Sequence, residues 1–105
     1  MKVIDLENSE DLKEYIEKYE YTILKFSAVW CGPCKQISIE LNNKLKNYNF
    51  NNVIILNVDY DLHEDLSEKF NITKLPTLII YKSKKIVNII TGTNLDILYN
   101  TLSIV

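Results

Sequence analysis

Arginine is absent from this chain, and several other residues are scarce: two glycines, two prolines, two cysteines, one tryptophan, one histidine and one alanine in 105 residues. No apolar run approaches the length of a membrane span, since Val53 to Leu56 and Leu78 to Tyr81 are only strand-length. Met1 to Glu7 acquires acid at Asp5 and builds no apolar signal core, so a cytoplasmic protein is expected. Twelve lysines against 14 acids leave a net charge of −2, which predicts no attraction to nucleic acid or to an anionic membrane. There is no glycine-rich phosphate loop, no paired-carboxylate signature and no Ser/His arrangement, so no nucleotide is expected to bind. No repeat or linker interrupts the chain, and residues 1–105 read as a single domain long enough to bury a core without staples.

What is abundant are Lys, Asn, Ile and Tyr, with twelve, twelve, fifteen and seven copies. All four have A/T-rich codons, so the skew reads first as codon bias. Under that pressure the surviving Gly, Pro, Cys and Trp mark positions where other residues do not serve. Trp30, Cys31, Gly32, Pro33 and Cys34 form one run that holds half of the Gly and Pro, both Cys and the only Trp.

Periodicity places this run in a fold. Lys2 to Leu6 is a short strand candidate, followed by capping residues at Asn8 to Asp11 and a helical pattern through Leu12, Tyr15, Ile16 and Tyr19. Tyr21 to Ala28 reads as a strand broken by the Cys run, then a helix with Ile37, Leu41, Leu45 and Tyr48 on one face. Val53 to Val58 has the nearly continuous apolar character of a strand buried on both sides. A short helix carrying Leu62, Leu66 and Phe70 follows. Thr77 to Tyr81 and Ile86 to Thr91 are strands joined by Lys82 to Lys85, hence an antiparallel hairpin. Asn94 caps a last helix with Leu95, Leu98, Tyr99 and Leu102 inward. The order βαβαβαββα predicts an α/β fold, a mixed five-stranded sheet flanked by four helices.

Three readings compete for Cys31 and Cys34. A structural disulfide closing so short a loop contributes only roughly 2 kcal/mol in the chain-entropy model. A zinc site needs four ligands, and His63 is the only other soft candidate, far along the chain. A reversible dithiol at a strand-to-helix junction explains the spacing. There Cys31 meets free backbone N–H groups and the positive end of the helix dipole, both of which favour its thiolate. Pro33 suits the first helical turn, and Gly32 leaves the backbone open beside the sulfur. Lowering a thiol pKa from about 8.5 to about 7 gives roughly fifteenfold more thiolate at pH 7, of which weaker nucleophilicity returns about fivefold. Proximity of a second thiol is therefore the larger advantage.

The sequence resembles the thioredoxin family over essentially its whole length. The resemblance rests on Trp30-Cys31-Gly32-Pro33-Cys34-Lys35, the preceding Phe26-x-Ala28, Asn57-Val58-Asp59, Leu75-Pro76-Thr77 and Gly92. It implies a thiol–disulfide oxidoreductase that reduces protein disulfides, with Cys31 attacking and Cys34 resolving. It also implies that Pro76 is a cis-proline facing the site and that the Leu75 backbone pairs with an incoming target segment. Trp30, Gly32, Pro33, Leu75, Pro76 and Gly92 would form an apolar docking rim. No bound cofactor or metal is implied beyond the Cys31–Cys34 couple. The implied partners are protein disulfides and a thioredoxin reductase or other dithiol donor, and the implied state is a monomer. Alternatives are a disulfide oxidase or isomerase, or a binding module with incidental redox activity.

The sequence also departs from the family pattern. Lys25 stands where thioredoxins usually hold a buried Asp, and Ile55 where its Lys partner falls. Lys25 is read either as a replacement whose stem lets the ammonium reach water or as a cation that stabilises thiolate and favours the reduced form. Ile39 replaces a helix-kinking Pro, which should straighten that helix. The hairpin lacks its usual glycine. His63 is expected to be a solvated first-turn residue, Lys74 a surface lysine, and Tyr60, Tyr81 and Tyr99 core or rim packing.

Overall fold

The computed structural model describes residues 1–104. Five strands, β1 (Lys2–Asp5), β2 (Tyr21–Ser27), β3 (Val53–Asp59), β4 (Thr77–Lys82) and β5 (Lys85–Thr91), form one sheet in the order β1-β3-β2-β4-β5. β1 and β2 run parallel to β3, while β4 is antiparallel to both β2 and β5. The predicted element order is the observed one. Four helices, α1 (Leu12–Lys18), α2 (Gly32–Leu45), α3 (Glu64–Lys69) and α4 (Asp96–Thr101), cover the sheet, and Ser9–Asp11 adds a 3-10 turn before α1.

Strand alternation decides which helix meets which face. Ile23, Ile55, Leu78 and Ile80 point to one side and pack with Ile37 and Leu41 of α2 and Leu98 of α4. Leu24, Phe26, Leu56, Val58 and Ile79 point to the other and pack with Leu12 of α1 and Leu66 of α3. Lys25, two residues from Ile23, therefore lies on the α2 side. β2 is the central strand and runs its C-terminal end straight into the Cys run, so the site is fixed to the most buried part of the sheet.

The structure departs from the expectations at several places. Leu62 precedes α3 and is 80% exposed rather than packed with Leu66 and Phe70. His63 is buried, not solvated, at 6% exposure. Its Nε2–H donates to the Leu6 carbonyl at 2.7 Å and its Nδ1 lies 3.1 Å from Ser9 Oγ, so the ring ties α3 to the chain leaving β1. The neighbouring Glu64 and Asp65 suggested water, but the long-range partners were invisible in sequence. The hairpin is tighter than the polar stretch suggested: only Ser83 and Lys84 lie between the strands, both with positive φ, 50° and 73°. That is the geometry of a type I′ turn, for which non-glycine residues are costly. The N-cap of α4 is Leu95 rather than Asn94, and Asn94, one residue earlier, accepts the Asp96 N–H at 3.0 Å. α2 runs unbroken through Ile39.

Candidate functional site: a dithiol between two cavities

The C-terminal end of β2 turns at Ala28, whose carbonyl accepts the Cys31 N–H at 3.1 Å. Cys31 is extended (φ −93°, ψ 105°) and caps α2, with Pro33 in the first helical turn. The Cys34 N–H donates to Cys31 Sγ at 3.2 Å, so an orphan amide of the helix start points at this sulfur. That bond is the physical content of the thiolate preference expected at the junction. Cys31 and Cys34 are joined as a disulfide with Cα atoms 5.3 Å apart. A β-carbon added at Gly32 would meet nothing within 4 Å, which leaves the approach to Cys31 open.

On the Cys31 side, a groove of about 410 Å³ is lined by Trp30, Cys31, Gly32, Pro33, Tyr60, Thr73 and Leu75. The Leu75–Pro76 peptide bond is cis. Pro76 is buried, and its carbonyl accepts the Gly92 N–H at 3.0 Å. Gly92 has φ 92°, a conformation that an L side chain rarely adopts, so its glycine is required there. Pro76 and Gly92 are thus bonded to each other, and neither lines the groove. Trp30 is 65% exposed, and its indole Nε1–H donates to Asp61 Oδ2 at 2.9 Å. Tyr60 is a rim residue, as expected, held by its N–H to the Ser27 carbonyl at 2.8 Å. Thr73 carried no recognisable signal.

On the Cys34 side, a larger cavity of about 630 Å³ has Lys25, Asp5, Asn57, Ser38 and Cys34 in its lining, with Val29, Ile39 and Leu62 at its edge. Lys25 is 6% exposed, and its side chain lines this cavity. Its stem lies under α2, where Nζ donates to Ser38 Oγ, and Ser38 Oγ donates to the Cys34 carbonyl at 3.0 Å. Burial lowers the Lys25 pKa below the ordinary lysine range, and the Asp5 carboxylate works against that shift. Asp5, Asn57 and Ser38 were missed as site residues. Their one signal was a polar residue at Asn57 inside an otherwise apolar strand, in line with Lys25 on its neighbour.

A disulfide at a helix start, a cis-proline opposite and a mixed sheet behind them define a dithiol–disulfide exchange domain. Residues 3–103 match the family model for thioredoxin. Thioredoxin 1 of Plasmodium falciparum is 37% identical over 79 residues, 75% of this chain and 74% of that protein. A crystal structure of thioredoxin from Trypanosoma brucei brucei, 32% identical, superposes with a TM-score of 0.83 over 96% of this chain and 88% of that one. Some relatives are longer: the chain spans 60% of Thioredoxin-T of Drosophila melanogaster, at 31% identity, and 54% of Thioredoxin-2 of Pyricularia oryzae, at 29%. The chain belongs to the thioredoxin family, and its Cys31–Cys34 pair makes this domain a thiol–disulfide oxidoreductase. Among the described residues no helix is long and apolar enough to cross a membrane.

Proposed function

We propose that the protein reduces disulfides of other proteins, with Cys31 as attacking and Cys34 as resolving cysteine. The observation that carries the assignment is the Cys34 N–H aimed at Cys31 Sγ, together with the open groove on that side. In the reduced protein the Cys31 thiolate attacks one target sulfur. The target disulfide breaks, and one target sulfur leaves as a thiolate that takes up a proton. Cys34, held one helical turn away, then gives up its proton and attacks Cys31 Sγ. The mixed disulfide breaks, the second target sulfur leaves, and the Cys31–Cys34 bond re-forms. Target disulfide has gained two electrons and two protons.

Trp30, Leu75, Gly32 and Pro33 dock the target segment, with the Leu75 backbone offering strand-like pairing; Pro76 and Gly92 hold this surface in shape. Lys25, if charged when the disulfide opens, stabilises thiolate and favours the reduced form. Electrons return from a thioredoxin reductase or another dithiol donor, and no bound cofactor enters the cycle. The working compartment is the cytoplasm, where such a couple is kept cycling. The protein works as a monomer.

Insulin-disulfide reduction tests the reading. Wild type should exceed both Cys31→Ser and Cys34→Ser by more than about 100-fold, because the second thiol acts at a high effective concentration. Cys34→Ser should accumulate a mixed disulfide at Cys31 and Cys31→Ser none at Cys34. A wild type no faster than its variants would instead favour a binding module built on the same surface.

A further inference from the structure

Asp5, Asn57 and Lys25 stand in one row across β1, β3 and β2, since Asp5 pairs with Asn57 and Asn57 with Lys25 in the strand registers. All three line the cavity that Cys34 lines. Asn57 Nδ2 donates to Asp5 Oδ1 at 3.0 Å, and the buried Asn57 Oδ1 has no hydrogen-bond partner among the described residues. That oxygen is an acceptor beside the Lys25 position, and Lys25 has ammonium hydrogens beyond the one given to Ser38. The other charged groups on this cavity are Asp59 of β3 and Lys35 of α2, and the neighbouring cavity that Lys25 and Ser38 also line carries Lys46 beside Met1. Asp59 Oδ1 is occupied by the N–H groups of Asp61 and Leu62, at 2.9 and 3.1 Å. Asp5 is the carboxylate whose charge acts on Lys25.

We propose that Asp5 is a positioning residue for the redox centre. Across Asn57 it holds Lys25 in its charged form, and so keeps a cation in the cavity that Cys34 lines when the disulfide opens. The assignment rests on the reading of Lys25 as a cation that stabilises thiolate, and adds the residue that keeps it one. It adds no chemical step: the donor dithiol still supplies both electrons, and Lys25 keeps its proton throughout. Burial alone favours neutral lysine, whereas a carboxylate two strands away, about 10 Å by strand spacing, opposes it. Partly screened, a charge at that distance changes a protonation constant by roughly three- to tenfold.

The test is the pH titration of the Lys25 Cε resonance in the full chain, in the disulfide and dithiol forms. Asp5→Asn keeps the acceptor for Asn57 and removes only the charge. It should lower the Lys25 midpoint by about half to one pH unit, the same three- to tenfold change. In the wild type, reduction should raise that midpoint, as a new thiolate would. An unmoved midpoint in Asp5→Asn overturns the proposal. The redox equilibrium with glutathione at pH 9 supplies a second readout. Asp5→Asn should move it severalfold with Lys25 present and leave it in place in a Lys25→Met background. Equal shifts in both backgrounds would mean that Asp5 acts on the sulfurs directly, which also overturns it. The disulfide-form titration does not depend on turnover, so a failure in insulin reduction is distinguishable from a failure here.

Discussion

The two sides of the disulfide differ in kind. The Cys31 side is a groove in which Trp30, Cys31, Gly32, Pro33 and Leu75 follow the family motifs and Tyr60 and Thr73 complete the lining. The Cys34 side is a larger cavity crossed by the row Asp5, Asn57 and Lys25, where a lysine replaces the expected acid and Asp5 supplies a carboxylate two strands away. Two sulfurs only 3 residues apart in sequence thus sit in different environments. One environment selects what the thiolate meets, and the other sets how stable a thiolate is. Recognition and redox poise can therefore vary separately, although they share one covalent bond.

Substitutions on the two sides should separate these properties. The largest effect is expected from Trp30→Ala, which removes the exposed aromatic anchor of the groove. Its KM for insulin should rise by roughly 30-fold, the about 2 kcal/mol of an interface anchor, with a much smaller change in kcat. Steady-state kinetics check this, and a potential that moved as much as KM would break the division. Next comes Lys25→Asp. Replacing a cation with an anion beside Cys34 destabilises thiolate and makes the couple more reducing, by about 30 mV for each pKa unit. Redox titration against glutathione decides it, and an unchanged or more oxidising couple would refute it.

Lys25→Met probes the same cavity through stability. The folded protein lowers the Lys25 pKa, so the unfolded chain binds the extra proton between the lowered value and 10.5. The penalty for burying the ammonium is full below the lowered value and vanishes as pH rises past the unfolded one. Lys25→Met should therefore stabilise the protein by about 1 kcal/mol at pH 7, with a gain that fades by about pH 11. Urea melts at both pH values measure it; a gain that grows with pH would contradict the burial argument. The smallest effect is a control far from either side. Asn-Gly in place of Ser83-Lys84 suits the two positive φ angles and should add up to about 1 kcal/mol without moving potential or KM.

The groove side was legible in the sequence because its features are local. A strand end, Cys-Gly-Pro-Cys and Leu-Pro-Thr are contiguous, and each has a backbone reason to lie where it does. Element order and the central sheet followed from period alone. What stayed hidden came from register. Nothing near Asp5 announces that it will stand in line with Asn57 and Lys25, because that alignment is fixed by two parallel pairings between strands distant in the chain. His63 was misread for the same reason, since its partners Ser9 and Leu6 lie more than fifty residues away. Ser83 and Lys84 show the opposite case, where closure of the hairpin overrides residue preference.

β1 has four residues, lies at the sheet edge and, among the described residues, pairs only with β3. Short edge strands open locally at a smaller free-energy cost than the central strands of a sheet. One wall of the Cys34 cavity is therefore made from the part of the sheet that detaches most readily, while the sulfurs themselves are anchored to its centre. Hydrogen exchange of the β1 amides thus becomes a gauge of that wall: whatever loosens the strand, at a distance from either cysteine, displaces Asp5 from the cavity that Cys34 lines.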